Sequence, residues 1–222
     1  MKQGDRDAFR NAGSYQGIKI ASFDAEGTLV THDFSHTIWQ EAIPALYARK
    51  KGIDYDRAER IVFAEYDKVG DQRLEWYDVA YWLSYFGLGP LESLIQSCRD
   101  KVRCYPEVRE VLSSLAGRYK LIVCSGTPLE LLQPLLESIS SYLDRVFSAP
   151  SQYRQLKTSD FYLWVCRELK VKPNEVVHVG DSWQLDFLNS REAGLHAFYL
   201  DRSGDDHQSL IDLRQLARDL LD

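Results

Sequence analysis

Three polar clusters each follow an apolar, strand-like run in this 222-residue chain. They are Asp24-Ala25-Glu26 after residues 18–23, Ser125-Gly126-Thr127 after 121–124, and Gly180-Asp181-Ser182 after 176–179. A carboxylate such as Asp24 can attack phosphorus to form an aspartyl-phosphate, splitting one difficult hydrolysis into two easier steps. Phosphoryl transfer also demands neutralisation of charge on the equatorial oxygens, by a metal and a cation. Magnesium takes carboxylate, carbonyl and water oxygens, commonly with one or two carboxylates, and Asp24 and Asp181 fit that requirement. Ser125 and the adjoining backbone amides at Gly126 can hold a phosphate oxygen, and Lys157 can complete the charge balance.

For these residues to meet, the apolar runs must lie side by side. Runs at 18–23, 121–124, 176–179 and 196–200, with a weaker one at 145–147, predict buried strands. Helical patterns near 107–117, 128–140, 159–169, 184–193 and 208–221 alternate with the later runs. That alternation predicts an α/β fold, a doubly wound parallel sheet covered by helices on both faces. In such a sheet, polar residues just past the strands converge in the crevice beyond their carboxyl ends. Residues 34–102 break the alternation, with several amphipathic helical patterns and no convincing strand. Leu74, Tyr77, Tyr81 and Tyr85 recur at helical spacing, and Gly87-Leu88-Gly89-Pro90 stops that helix. The expected organisation is a polar tail at 1–17, a catalytic core from 18–33 and 103–222, and an inserted helical domain at 34–102. Trp39, Trp76 and Trp82 fall in the insertion and are read as its own core, with pocket lining by one or two of them as the alternative.

Bulk properties narrow the classes. With 45% hydrophobic residues the chain can bury a substantial core. A formal charge of −6 argues against nucleic acid or anionic membranes as general partners, although a local positive pocket could still take an anion. The apolar runs are strand-sized, too short to span a membrane, and the tail has no apolar signal-peptide segment. Cys98, Cys104, Cys124 and Cys166 show no CxxC or zinc-finger spacing. Cys124, in a strand-like run, is read as a small core residue, and a reducing cytoplasm is the simplest compartment. Nothing in the sequence fixes the oligomeric state.

The motifs together resemble the haloacid dehalogenase superfamily, in its branch with a helical cap inserted after the first strand. The resemblance spans roughly residues 18–201. Its first motif, hhhDxDGT, is matched by Ala21-Ser22-Phe23-Asp24-Ala25-Glu26-Gly27-Thr28, and its second, a strand ending in Ser or Thr, by Ile122-Val123-Cys124-Ser125-Gly126. The third is a lysine ahead of a helix, here Lys157, and the fourth is GDSxxxD, here Gly180-Asp181-Ser182-Trp183-Gln184-Leu185-Asp186. The resemblance implies that Asp24 is the nucleophile and a magnesium ligand. Glu26 would give its carbonyl to the metal and its side chain to acid/base work. Ser125 and Gly126 would bind phosphate, Lys157 would steady the nucleophile, Asp181 would ligate Mg2+, and Asp186 would orient metal-bound water or the lysine.

Two departures stand out. Phosphatases of the family usually carry Asp where this chain has Glu26, one methylene longer, while its dehalogenases have no acid there. Lys157 sits in Gln155-Leu156-Lys157-Thr158 rather than the common Lys-Pro, with Arg154 as the reserve candidate. His178 is read as a packed, hydrogen-bonded residue. His32, Asp33 and His36 are read as hinge or surface positions, with substrate contact by His36 as the alternative. Asp205, Asp206 and His207 are read as capping or solvated charge. The expected function is hydrolysis of a small-molecule phosphate ester. Alternatives are a 2-haloacid dehalogenase or phosphomutase of the same superfamily, or a catalytically degenerate binding module.

Overall fold

Ile20, Ala21, Ser22 and Phe23 form a strand, β1 (Ile20–Phe23), buried along its whole length. Four more follow in the computed structural model, which describes residues 15–204 and 209–222: β2 (Lys120–Ser125), β3 (Arg145–Ser148), β4 (Val176–Gly180) and β5 (His196–Tyr199). All pair in parallel in the order β3-β2-β1-β4-β5, so β1 is central and its carboxyl end lies at the point where the strand order reverses. The readings of residues 1–14 and of Asp205, Asp206 and His207 lie outside the described residues.

Successive side chains of a strand point to opposite faces, and both faces are covered here. Ala21, Phe23, Leu121 and Val123 join one apolar cluster, with Leu112 of helix Val108–Leu115, Leu132 of Leu129–Leu136 and Leu216 of Leu213–Leu221. Ile20, Ile122 and Cys124 join the other, with Phe161, Tyr162 and Val165 of helix Ser159–Leu169. This double covering makes the strands read as near-continuous apolar runs, with Ser22 and His178 as buried polar exceptions that face each other across β1 and β4.

Between β1 and β2 the described residues from Asp33 to Lys101 carry helices and turns. The first helical stretch runs through Asp33–His36, a π-helical segment Thr37–Ala42 and Ile43–Lys51; Tyr55–Val69, Val79–Phe86 and Leu91–Cys98 follow. The chain leaves and re-enters the sheet region along one narrow path. Thr31 N donates to Arg103 O (2.8 Å), Tyr105 N donates to Leu29 O (3.1 Å), and Val30 bridges Cys104 antiparallel.

Local capping corrects some expected boundaries. The pattern Leu74–Tyr85 is two pieces, a 3₁₀ turn at Leu74–Tyr77 and the helix Val79–Phe86. Asp78 divides them because its carboxylate accepts from Tyr81 N, an N-cap bond that starts a new helix. The last helix begins at Leu213, not 208, for the same reason: Asp212 accepts from Arg214 N and Gln215 N. The 184–193 pattern opens as a π-helical turn, Trp183–Leu188, before Asn189–Glu192. Among the described residues no helix is long and apolar enough to cross a membrane. All four cysteines are free, and burial pushes the Cys124 thiol up to about 12, which leaves it inert as a nucleophile.

Candidate active site

Asp24 is the first residue past β1, yet its N–H still donates to Val179 O (2.9 Å), so the ladder to β4 fixes it one step beyond the strand. By register, Phe23 lies between Val123 and Val179. The ends of β2 and β4 therefore flank Asp24 directly, and Ser125, Gly126 and Asp181 line one cavity of about 500 Å3 with it. Glu26, Lys157 and Asp186 line the same cavity. All seven residues singled out in the sequence thus come together. Arg154, the reserve for Lys157, is exposed and does not line it.

Lys157 is only 3% exposed, which separates it from an ordinary surface lysine. Its ammonium donates to Asp24 Oδ1 (2.6 Å) and to Asp186 Oδ1. Asn189 Nδ2 donates to the Lys157 carbonyl (2.8 Å) and holds the backbone in place. Burial alone would lower the lysine's pKa, but the carboxylates of Asp186 and Asp24 outweigh it and hold the ammonium charged well above its usual range. Burial raises Asp24 to about 7, with Lys157 opposing and Asp186 and Asp181 adding to the rise. Asp186 goes the other way. Burial works against its charge, yet Lys157 and His178 keep it below the usual carboxylate range.

Asp186 owes its position to the turn that carries it. Ser182 caps the π-helical turn by accepting from Leu185 N (3.2 Å), and Ser182 N donates to Asp186 Oδ2 (2.8 Å). A Cβ on Gly180 would collide with the Asp186 carboxyl, so glycine is required there. His178 is packed and hydrogen-bonded, as its place in the strand implied. It lies 2.8 Å from Ser22 Oγ, 3.0 Å from Tyr162 Oη and 3.1 Å from Asp186 Oδ1. Burial lowers its pKa to about 4, so the ring is neutral near pH 7. A proton on Nε2 then serves Asp186, while Nδ1 accepts from Ser22.

Glu26 is held from across the cavity. Thr127 Oγ1 donates to Glu26 Oε2 (2.8 Å), whereas Oε1 is buried without a well-directed bond. Burial raises the Glu26 pKa, with the Ser35 and Thr127 hydroxyls and the nearby His32 pulling it back. Thr127 is positioned by Ser148, whose hydroxyl donates to Thr127 O (2.8 Å), and Thr127 N donates to Ser125 Oγ (3.2 Å).

The carboxylates of Asp24, Asp181 and Asp186 each offer an oxygen, all within 4.8 Å of one another. Such a hard-oxygen set could hold a divalent cation. Asp186 is already committed to Lys157, His178 and Ser182 N, which leaves Asp24 and Asp181 as the freer donors. Gly27, at φ 73°, permits the approach, because a Cβ there would strike the Asp181 carboxylate.

Four residues beyond those seven contribute, two of them tryptophans for which pocket lining is the alternative reading of the sequence. His32, read as a hinge or surface residue, places Nε2 3.2 Å from Asp181 Oδ2, and that bond raises its pKa. Trp39 and Trp76 line the cavity while packing on the core, and Trp82 alone of the three is fully buried. Arg202, just past β5, donates to Gly27 O (3.0 Å) and Thr28 O (2.6 Å), stacks 3.5 Å from the Tyr105 ring centroid, and faces buried Glu107 at 2.8 Å. That last contact is Coulombic, since the N–H does not aim at the carboxylate oxygen. Arg202→Ala should destabilise the protein by roughly 3 kcal/mol, the usual cost of leaving a buried charge unpaired, and slow turnover by loosening the loop after Asp24. Urea unfolding and kcat measured on the same preparation check both effects.

A family model described as haloacid dehalogenase-like hydrolase matches residues 18–194. Among solved structures, a haloacid dehalogenase-type phosphatase from Thermococcus onnurineus superposes with a TM-score of 0.80 at 24% identity, covering 90% of this chain and 97% of that one. A predicted phosphoglycolate phosphatase from Haemophilus somnus 129pt gives 0.65 at 18%, covering 91% and 98%. A 2-haloacid dehalogenase from Pseudomonas syringae pv. Tomato DC3000 gives 0.64 at 21%, covering 92% and 98%. No curated protein matches in sequence. At these identities the structural likenesses speak to the fold, which phosphatases and dehalogenases share.

Proposed function

The chain belongs to the haloacid dehalogenase-like hydrolases, and on that footing we propose that it is a magnesium-dependent phosphomonoester hydrolase working through an aspartyl-phosphate on Asp24. The observation that carries this reading is Glu26, part-buried two residues from Asp24 with one carboxylate oxygen tied to Thr127 and the other without a well-directed hydrogen bond. An alkoxide leaving group needs a proton, and a halide does not. Asp181, a hard-oxygen donor beside the nucleophile, points the same way.

Asp24, Asp181 and the Glu26 carbonyl would hold Mg2+, which when bound screens the phosphoryl oxygens from the attacking carboxylate. The Ser125 hydroxyl and the Gly126 amide cradle the phosphoryl oxygens, and Lys157 steadies both Asp24 and the transferring group. Asp24 Oδ attacks phosphorus as the ester oxygen departs, taking a proton from Glu26. Glu26, now ionised, removes a proton from the water that attacks the aspartyl-phosphate, and Asp24 is regenerated. Its longer side chain is compatible with this role because Thr127 fixes it. Residues 34–102 act as a cap over a core of 18–33 and 103–222, hinged on the paired segments at Leu29–Thr31 and Arg103–Tyr105. Free cysteines throughout fit a reducing cytoplasm.

The direct test is release of phosphate from a panel of monoesters with Mg2+, set beside halide release from 2-chloropropionate without metal. Halide release with no phosphate turnover overturns the reading. The pH profile of kcat/KM should be bell-shaped, since Asp24 must be ionised and Glu26 protonated. With Mg2+ favouring ionised Asp24, the alkaline limb belongs to Glu26, whose pKa burial raises above 4.5, and activity falls as pH rises through it. In kcat/KM, which reads only phosphoryl transfer to Asp24, Glu26→Gln should remove that limb and cost roughly 100-fold or more with an alkyl phosphate but much less with p-nitrophenyl phosphate, whose leaving group needs no proton; kcat should fall with both, because Glu26 also activates the water.

A further inference from the structure

The cavity that holds the acid cluster is also lined by aromatic residues. Trp39, Tyr66, Trp76 and Tyr77 all line it. Trp39 meets Tyr66 edge-on with centroids 5.7 Å apart, Tyr66 meets Trp76 at 6.2 Å, and buried Trp82 supports Tyr66 from behind at 4.6 Å. Tyr66 also donates to Trp39 O (3.5 Å), and Tyr77 donates to Asp71 O (3.1 Å). The rings are therefore held by their neighbours, while Trp39, Trp76 and Tyr77 remain only half-buried and present open ring surface.

Charge within the cavity is as informative. Among the described lining residues the basic groups are Lys157, His32 and His36. Lys157 is taken by Asp24 and Asp186, His32 by Asp181, and His36 lies 3.5 Å from Glu41. No arginine lines the cavity among the described residues. A second anionic group on a substrate would face Glu26 and the acid cluster, with only the exposed, Glu41-paired His36 beyond them.

Resting on the phosphatase reading, we propose that the substrate is a monoester whose leaving group is uncharged and aromatic, its ring lying against Trp39 and Trp76, and that esters carrying a second anion are rejected. A cavity of about 500 Å3 accommodates one phosphoryl group and a ring-sized leaving group. Flat rings favour edge-to-face or offset contact with such a wall, which adds to the gain from burying apolar area.

The test compares kcat/KM for benzyl phosphate, ethyl phosphate and phosphoglycolate with Mg2+; benzyl and ethyl alcohols are close in acidity, so the first ratio reads the ring. Benzyl should exceed ethyl by roughly 30-fold, and phosphoglycolate should fall below ethyl. Trp76→Ala should reduce the benzyl-to-ethyl ratio to about threefold or less, and Trp76→Phe should restore most of it. Direct binding of benzylphosphonate, ethylphosphonate and phosphonoacetate, measured by calorimetry, reads the same preference without chemistry. Equal ratios in turnover and binding, or phosphoglycolate as the better substrate, overturn the inference and leave the phosphatase reading standing. Preferential benzylphosphonate binding with no ester hydrolysed upholds the aromatic site and removes the phosphatase reading.

Discussion

Asp24→Asn is expected to abolish turnover, by about 10⁴-fold or more, without loss of stability. Asparagine keeps the shape and can still occupy the end of β1, where the backbone N–H to Val179 O holds the residue whatever its side chain. What it lacks is a carboxylate able to bond to phosphorus. Stability should follow the opposite course from activity. The folded pKa of Asp24 is raised from 3.8 to about 7, so without metal the native carboxylate opposes folding increasingly as pH rises from 3.8 to 7. The variant is freed of that cost. It should be at least as stable as the native protein near pH 7, with any advantage fading as pH falls towards 4. Thermal unfolding of the metal-free proteins at several pH values, paired with kcat, checks both halves. Equal activity of the two proteins would remove Asp24 from the chemistry.

Lys157→Met carries the second large effect, and here stability and activity fall together. Methionine fills much of the space but leaves two buried carboxylates, Asp24 and Asp186, facing each other without a cation. Breaking such a buried arrangement costs about 3–5 kcal/mol, and losing a charge aimed at the reacting group costs roughly 100- to 1,000-fold in rate. The deficit should depend on pH. Lys157 holds Asp186 below 3.8 in the folded state, so its contribution is present above 3.8 and is lost as pH falls through the folded value. Native and variant stabilities should therefore converge only as pH falls below 3.8. Urea midpoints from about pH 5 down to as far below 3.8 as the native fold survives measure this. Arginine should not rescue activity, since a planar fork cannot replace a point donor between two carboxylates in this space.

The parts of the site legible in sequence are those where chemistry and strand endings coincide. Asp24, Ser125 and Asp181 each follow an apolar run, and burial on both faces makes such runs stand out. From spacing alone Lys157 is a lone cation ahead of a helix; only the family resemblance linked it to Asp24 and Asp186, which the fold brings to it from 133 and 29 residues away. His32 was hidden for the same reason, because its partner Asp181 is 149 residues distant and no local pattern links them. Arg202 looks like any charge in a loop until its guanidinium is seen on the carbonyls of Gly27 and Thr28. The aromatic residues carried a real ambiguity: Trp39 and Trp76 pack on the core with one part of the ring and line the cavity with another, and helical spacing cannot separate those uses. Asp78 and Asp212 show the converse, a cap signal present in the sequence that apolar periodicity overran.

The proposed hydrolysis passes through a covalent bond between Asp24 and phosphorus. Rapid acid quench of the protein with Mg2+ and a turning-over phosphate ester, followed by peptide mass analysis, addresses that bond directly. The expected result is a single phosphoryl group on the peptide containing Asp24, appearing before free phosphate reaches its steady rate and absent from Asp24→Asn. Steady turnover with no labelled peptide, or with the label on another residue, would contradict it.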